Sequence, residues 1–236
     1  MSVKKNFIYN LSYQILVMIL PLITTPYISR VIGAEGVGIQ SYTYSIANYF
    51  VLFAMLGVNN HGNRSIAMVR NDNEKLNRTF TSIYLIQAIM SILMIILYII
   101  YIVFFTKSYK IIFIIQLIYI IGALFDINWF FFGMEQFKIT VIRNTIIKLI
   151  SVMSIFIFVK DQSDLYLYSI ILALGTLISQ LILWRFVVKY VKFTKVKFYE
   201  VRQHIRPMLT LFIPAISVSI YKIMDKIMLG SMSTVT

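Results

Sequence analysis

The sequence contains no cysteine and few charged residues. Cysteine is absent from all 236 positions, which excludes disulfide bonds, thiolate metal sites and a cysteine nucleophile. Charged residues make up only 13% of the chain, and acidic residues are especially scarce, with 9 Asp and Glu against 22 Lys and Arg. A soluble domain usually has about 25% charged residues, so this composition excludes an ordinary water-soluble fold.

Long hydrophobic runs fill most of the chain instead, and apolar residues account for 59% of it. A helix of about 20 apolar residues crosses the hydrocarbon core of a bilayer, and the hydropathy pattern contains seven runs of that kind. They cover residues 7–28, 38–59, 80–105, 111–132, 139–159, 165–188 and 208–229. We therefore predict an all-α fold, a polytopic membrane helical bundle, with any function in or across the bilayer.

The basic residues are unequally divided between the two ends of the predicted spans. Fifteen Lys and Arg fall at the end that carries the N-terminus, and four fall at the other end. The positive-inside rule therefore predicts a cytoplasmic N-terminus in the cytoplasmic membrane. The basic loops 61–79 and 189–206 are predicted to set topology and to contact membrane lipids, and not nucleic acid, because they lie beside hydrophobic runs.

No pattern in the chain predicts an enzyme, a metal or a cofactor. Residues 33–38 read Gly-Ala-Glu-Gly-Val-Gly but lack the Lys-Ser/Thr of a phosphate loop, so they are predicted to form a tight turn between helices. His61 and His204 lie in separate loops without a carboxylate pattern, which does not favour a metal or acid/base role.

Polar residues form a stripe along the fifth span. Its members recur at three- and four-residue steps beside Arg143: Thr140, Asn144, Lys148, Ser151 and Ser154. Lys148 lies about 15 Å along a helix from Lys138 and therefore near the bilayer midplane, where an unpaired lysine costs about 2.5–3.5 kcal/mol. Because it must find water, a carboxylate or a ligand, we predict that Lys148 lines a cavity or pathway.

Two further spans carry a similar polar pattern. The members are Ser41, Tyr44, Ser45 and Asn48 on the second span, and Asn10, Gln14, Pro21 and Thr25 on the first, where Pro21 and Pro26 can bend or break the helix. Three helices are therefore expected to share a polar face. That face either surrounds a cavity or serves the packing of helices through hydrogen bonds.

The charges within the fourth and fifth spans allow alternative pairings. Asp126 is expected near the inner interface, beside Trp129 as an interfacial belt residue. It either pairs structurally with Arg143 or Lys148, or takes part in ion coupling.

The outer turn and the last span carry further charges. Arg30 either forms an ion pair with Glu35 or contacts an anion at the outer mouth. On the seventh span Asp225 can pair with Lys222 or Lys226 at helical spacing. Cations exceed carboxylates among these intramembrane and mouth residues, which favours an anionic or pyrophosphate-bearing substrate over a cation.

Three parts of the chain resemble one family. They are PLITTPYISRVIGAEGVGIQSY at 21–42, FDINWFFFGMEQFK at 125–138 followed by IRNTIIKL at 142–149, and YKIMDKIMLG at 221–230. These segments resemble the bacterial polysaccharide repeat-unit flippases of the Wzx type. That superfamily also contains multidrug and toxin extruders and the peptidoglycan lipid flippases.

The resemblance implies the movement of an oligosaccharide on polyprenyl pyrophosphate to the outer leaflet, for capsule, exopolysaccharide or O-antigen assembly. It implies Arg30, Arg143 and Lys148 as substrate contacts, and Asp126 and Asp225 as balancing or coupling charges. The partners that it implies are the lipid-linked oligosaccharide, membrane lipids, a polysaccharide polymerase and chain-length proteins.

The resemblance also implies a division of the chain, because such proteins commonly have twelve to fourteen spans in two six-helix lobes. Residues 1–190 would form an N-terminal six-helix lobe, 191–206 a basic cytoplasmic loop, and 207–236 the first helix of an incomplete second lobe. A truncated or interrupted chain is favoured as the explanation over two chains that assemble a complete transporter. Two alternatives remain open: a multidrug or ion-coupled antiporter of the same fold, and a non-functional fragment or membrane scaffold.

Overall fold

The computed structural model describes residues 3–233, with side chains for all of these except 3–10, 12, 220–223, 225–226 and 229–233. The described chain is helical, with a 3-10 turn at Gln162–Asp164 and no strand, so the all-α prediction is confirmed. The helices are α1 (Val3–Val31), α2 (Gly33–Met55), α3 (Val58–Val69), α4 (Asn73–Phe105), α5 (Lys110–Leu124), α6 (Asn128–Gly133), α7 (Phe137–Phe158), α8 (Leu165–Val187) and α9 (Phe198–Ser233).

Five helical segments in the described residues are long and apolar enough to cross a membrane, which makes this a multi-pass membrane protein. They are Tyr13–Val31, Asn73–Phe105, Lys110–Gly133, Phe137–Phe158 and Gln162–Val187. These segments match five of the predicted spans. The other two predicted spans fall on α2 and α9, whose 23 and 36 residues also suffice to cross a bilayer.

Helix α2 carries buried polar side chains and is surrounded by other helices. It contacts α1, α4, α5, α8 and α9. Polar side chains such as Gln40, Thr43 and Ser45 are buried on it. A helix enclosed by other helices can satisfy such groups through interhelical hydrogen bonds, whereas a lipid-facing helix cannot.

Five helices form a closed ring. Helix α1 contacts α2, α2 contacts α5, α5 contacts α8, α8 contacts α7, and α7 contacts α1. Helix α4 packs outside this ring against α2 and α5, and α3, α6 and α9 pack together with α4 or α7 at one end. We call that end the basic end; it contains residues 56–79 and 188–206. The other end, which contains the turns at 32, 106–109 and 159–164, is called the opposite end.

Much of the two predicted basic loops is helical. Residues 58–69 form α3, and α4 already begins at Asn73, where the Asp72 carboxylate accepts hydrogen bonds from the backbone N–H groups of Glu74 and Lys75. Helix α9 begins at Phe198, inside the predicted second loop, so the predicted boundary at 207 falls within a helix. Hydropathy missed these segments because α3 buries only one face, including Val58 and Ile66.

The turn between α1 and α2 is confined to Ile32, and Gly33, the first residue of α2, has a φ of 81°. The turn predicted at residues 33–38 was therefore too long and began one residue too late, since residues 33–38 already belong to α2. Glycine adopts this left-handed conformation without the steric cost that a Cβ atom would add. Helix α1 continues through Pro21 and Pro26, so neither proline breaks it.

The fourth predicted span is interrupted between α5 and α6. The Gln87 side-chain amide, from α4, donates hydrogen bonds to the carbonyl oxygens of Ala123 (2.7 Å) and Asp126 (2.8 Å) at this interruption. The Gln87 Oε1 atom accepts a hydrogen bond from the Trp129 indole N–H at 2.9 Å. Trp129 is fully buried, so its prediction as an interfacial belt residue is wrong: Gln87 supplies the partner that water would provide at an interface.

Candidate functional site: a polar cavity inside the helix ring

A cavity of about 380 Å³ lies within the ring of α1, α2, α5, α7 and α8. Three tyrosines from three helices line one part of it: Tyr13, Tyr44 and Tyr119. The Tyr44 and Tyr119 rings meet edge to face, with 4.9 Å between their centroids. The cavity therefore offers aromatic faces and hydroxyl groups opposite the polar residues of α7 and α8.

The polar stripe of α7 faces this cavity through three residues. Asn144, Lys148 and Ser151 line it, which agrees with the predicted stripe. The stripe is shorter than predicted: Thr140 donates a hydrogen bond to the Phe137 carbonyl oxygen of its own helix, and Ser154 is not among the lining residues. The helical spacing of the three lining residues places them along one face of α7.

Lys148 is half-buried in the cavity wall. Among the described residues, no carboxylate lies within 4 Å of its ammonium group and no protein atom accepts a hydrogen bond from it. Close packing of α8 maintains this wall: a Cβ atom on Gly175 would lie 2.5 Å from the Ser151 hydroxyl oxygen. The structure thus contains a cation in a polar cavity at membrane depth, without a protein partner in the described part of the chain.

Arg143 lies beside the cavity and is only 6% exposed. Its Nη1 atom donates to the Ser179 carbonyl oxygen at 2.6 Å and to Gln180 Oε1 at 3.5 Å. Its Nη2 atom donates to Asn128 Oδ1 at 2.8 Å and to Asn144 Oδ1 at 2.6 Å. All these acceptors are neutral, and the Nε–H group has no partner among the described residues, so the positive charge of Arg143 is solvated by dipoles and not cancelled by contact with a carboxylate.

Asp126 is connected to Arg143 through Asn128. One carboxylate oxygen of Asp126 accepts hydrogen bonds from the Asn128 backbone N–H (2.9 Å) and side-chain Nδ2 (2.7 Å). Asn128 Oδ1 in turn accepts the bond from Arg143. The predicted pairing of Asp126 with a basic residue is therefore indirect, since no salt bridge joins the two side chains in the described structure.

The structure does not bring Arg30 to the cavity. Arg30 is exposed in the last turn of α1, at the opposite end of the bundle. The ion pair with Glu35 that the sequence allowed is not formed. The predicted pairs of Asp225 with Lys222 and Lys226 lie outside the described side chains.

The polar pattern of the first span does not face the cavity. Gln14, Pro21 and Thr25 are exposed, so this part of the prediction is wrong, and Asn10 lies outside the described side chains. Helix α1 contributes Tyr13 instead. Helical spacing could have predicted this position, because Tyr13 lies seven residues before the buried Leu20 and therefore on the same face of α1.

A second polar cluster, which the sequence reasoning missed, joins three helices without lining the cavity. The Gln116 amide donates to Gln40 Oε1 at 3.0 Å and to Thr43 Oγ1 at 3.1 Å. The Ser169 hydroxyl donates to the same Gln40 oxygen at 2.5 Å. The two interpretations of the polar faces therefore both apply, to different residues: Gln40 and Thr43 serve helix packing, while Tyr44 lines the cavity.

His61 and His204 meet at the basic end although 143 positions separate them. The Nε2 atom of His61 and the Nδ1 atom of His204 are 2.9 Å apart, and both rings are buried. Burial, and then the neighbouring His61, lower the pKa of His204 to about 4. Burial, followed by the charge of Arg64, also lowers the pKa of His61, so both imidazoles are neutral at pH 7.

The ring of helices, the polar cavity among them and the apolar outer surface together define a multi-pass membrane protein with a polar site between its helices. The family model for polysaccharide biosynthesis proteins matches residues 3–236, and the chain belongs to this family. The resemblance to the Wzx-type flippases is thereby confirmed.

Two curated relatives extend this assignment. The chain is 25% identical over 237 residues to a putative O-antigen transporter of Escherichia coli (strain K12), across 99% of this chain and 57% of the relative. It is 27% identical over 164 residues to a putative O-antigen transporter of Shigella dysenteriae, across 69% of this chain and 41% of the relative. The chain thus spans about half the length of these relatives. No solved structure matches it significantly.

Proposed function

We propose that this chain moves, or forms part of a transporter that moves, polyprenyl-pyrophosphate-linked oligosaccharides across the cytoplasmic membrane. The family and the relatives named as O-antigen transporters support a role in polysaccharide transport. The observation that carries the proposal is the position of Lys148 in the polar cavity without a carboxylate partner among the described residues. A cation retained at membrane depth at this cost suits an anionic substrate group.

The cavity residues divide the recognition of such a substrate between them. Lys148 is a compact ammonium with three donors, which suits a phosphate oxygen. Tyr13, Tyr44 and Tyr119 offer ring faces and hydroxyl groups, which suit sugar rings. A volume of about 380 Å³ lies at the small end of ligand cavities, so it accommodates a pyrophosphate with its first sugar while the lipid tail stays in the bilayer.

Arg143 has a different role in this proposal. Four hydrogen bonds occupy its Nη atoms, so it acts as a positioning residue that fixes Asn128 and Asn144 and adds positive potential to the cavity. Asp126 balances that charge through Asn128. Arg30 would act apart from the cavity, as an anion contact at the opposite end.

The orientation of the chain follows from the charge asymmetry. We place the basic end and the N-terminus in the cytoplasm, because Lys and Arg concentrate there. The substrate would enter from that side and leave at the opposite end. The division at residues 190 and 206 into a lobe, a loop and the first helix of a second lobe belongs to this proposal, as do the polymerase and chain-length proteins as partners.

The experiment is complementation of a strain that lacks the chromosomal gene, with surface polysaccharide measured by immunoblot. Lys148→Ala should reduce surface polysaccharide about tenfold or more, because a charge-assisted contact to phosphate is lost. Lipid-linked intermediates should accumulate in the cell, and Lys148→Arg should retain most of the export. Lys110→Ala is the matched control, since Lys110 is exposed at the opposite end of the bundle.

The outcome also separates the alternatives. Normal surface polysaccharide with Lys148→Ala, at equal abundance in the membrane, would contradict the role of Lys148. Altered drug susceptibility with unchanged polysaccharide would favour a multidrug or ion-coupled antiporter. A deletion strain without either phenotype would favour a non-functional fragment or a scaffold.

A further inference from the structure

The carboxylates at the basic end all have cationic partners. Four acidic residues lie there in the described structure, and each forms a salt bridge. The pairs are Asp72 with Lys75 (3.1 Å), Glu74 with Arg78 (3.1 Å), Glu200 with Arg78 (2.9 Å) and Glu135 with Arg70 (2.5 Å). None of these four carboxylates forms a salt bridge with Arg64 or Arg206.

Two arginines at the same end lack such a partner and share a pocket. Arg64 on α3 and Arg206 on α9 are exposed and form no salt bridge with any described residue. Both line a pocket of about 470 Å³ between the two helices, together with the hydroxyl-bearing residues Ser65 and Thr210. Guanidinium groups form paired hydrogen bonds with phosphate oxygens, so this pocket has the donors of an anion site.

The rest of the pocket wall is apolar. Met68, Pro207 and Leu211 line it, and Met68 is 72% exposed. An apolar wall beside two unneutralised guanidinium groups fits a ligand with a phosphate at one end and a hydrocarbon chain at the other. A free phosphate would leave this wall uncovered.

The His61 ring also lines the pocket. The His61–His204 hydrogen bond joins α3 to α9 and lies beside Arg64. Because both imidazoles are neutral at pH 7, the positive charge of the pocket comes from the two arginines. The two walls come from segments far apart in the sequence, and the hydrogen bond between His61 and His204 joins them beside the pocket.

We propose that the pocket between α3 and α9 binds the phosphate headgroup of a membrane lipid, with Arg64 and Arg206 on the phosphate oxygens and the hydrocarbon chain against Met68, Pro207 and Leu211. This inference does not depend on transport. The shared chemistry is a phosphate ester on a lipid, whether a glycerophospholipid or a polyprenyl phosphate.

The test is native mass spectrometry of the purified chain in detergent, titrated separately with phosphatidylglycerol and with undecaprenyl phosphate. The double variant Arg64→Gln/Arg206→Gln should lower the affinity for the bound lipid about tenfold or more, since each lost arginine contact to phosphate weakens binding. The lipid that binds more tightly to the unmodified chain identifies the source of the headgroup.

The control is Lys189→Gln/Lys192→Gln, which removes the same charge from exposed residues of the same end that do not line the pocket. It should leave lipid binding within about twofold of the unmodified chain. An equal loss in both double variants would overturn the proposal and indicate a diffuse surface field.

A competition arm tests the apolar wall. Glycerol 3-phosphate should displace the lipid only at concentrations at least about a hundredfold higher than a short-chain phosphatidylglycerol, because the soluble ester leaves the apolar wall uncovered. Displacement at equal concentrations would overturn the lipid part of the proposal. Because binding is measured without export, failure here is distinguishable from failure of the proposed transport function.

Discussion

The interior of the helix ring and the basic end stabilise their arginines by different means. Arg143, inside the ring, is bonded to carbonyl and amide oxygens, and the nearest connected carboxylate is reached only through Asn128. Arg78, at the basic end, lies between the carboxylates of Glu74 and Glu200. One cation keeps its charge in the low-dielectric interior, and the other is neutralised by contact near water.

The physical reason is the cost of removing charge from water. A second buried ion adds its own desolvation cost, whereas neutral dipoles solvate a guanidinium group without that addition. Near water a carboxylate remains hydrated, so an ion pair forms at little cost and contributes little. Arg143 therefore keeps a positive charge that no direct carboxylate contact cancels, whereas the four described carboxylates of the basic end all form ion pairs.

The largest effect should come from removing the interior cation. Arg143→Ala removes the donor to Asn128 Oδ1 and one of the two donors to Asn144 Oδ1, and it leaves a cavity where the buried side chain lay, so we expect a loss of roughly 3–5 kcal/mol in the free energy of unfolding. The measurement is the midpoint of thermal unfolding in detergent. Arg185→Ala, at an exposed arginine of α8, should shift it far less; equal shifts would remove the distinction between the interior and the surface.

Acidification should next weaken the contact between α3 and α9. Because the pKa of His204 is lowered to about 4, the folded state favours the neutral imidazole. The stabilisation is complete above the unfolded pKa of about 6.5 and is lost as the pH falls toward 4, by about 3 kcal/mol at most. Protonation also places positive charge beside His61 and Arg64.

The measurement for this second prediction is the drop in the unfolding midpoint between pH 7 and pH 5. His204→Gln keeps a polar side chain but cannot titrate in this range, so its midpoint should fall less. The same drop in both proteins would show that other groups control the acid response.

A smaller effect is expected where the basic end meets the interior. Gly62 of α3 packs on the buried Trp129, and a Cβ atom there would lie 2.5 Å from the indole Cε3 atom. Gly62→Ala should therefore destabilise the protein by about 1–2 kcal/mol, since the overlap exceeds the gain in helix propensity. Gly38→Ala is the matched control, because no atom lies within 4 Å of its Cβ position, and it should leave the unfolding midpoint unchanged or higher.

The smallest effect should follow from breaking an exposed ion pair. Arg70 and Glu135 are 2.5 Å apart, but their side chains are 35% and 54% exposed. Arg70→Gln should therefore lower the free energy of unfolding by less than about 1 kcal/mol, and the loss should shrink further at high salt. A loss as large as that of Arg143→Ala would mean that the two regions do not differ as described.

The sequence predicted the spans better than their ends. Lipid-facing runs such as 80–105 were identified because only continuous apolar residues are stable in hydrocarbon. The hydropathy pattern did not predict helix α3 or the start of α4 at Asn73. Near water a helix needs only one apolar face, so the mean hydropathy of such a segment is low. Trp129 was misplaced for a related reason, since its partner Gln87 is distant in the sequence.

The candidate site was predicted in part. The helical spacing of Asn144, Lys148 and Ser151 placed them on one face, and the structure shows that face lining the cavity. Spacing could not show that Arg143, one position before Asn144, donates a hydrogen bond to Asn128. It also could not reveal the contact between His61 and His204, because neither histidine has a local pattern that marks the other.

Composition and periodicity by themselves determined that this chain is a multi-pass helical membrane protein and that Lys148 lies on a polar helix face. Both follow from local rules, because the bilayer penalises each exposed polar group separately. Only the tertiary structure decided which polar faces surround a cavity, which merely pack, and which cations have partners. Those outcomes depend on distances between helices that are far apart in the sequence, and no local pattern encodes such distances.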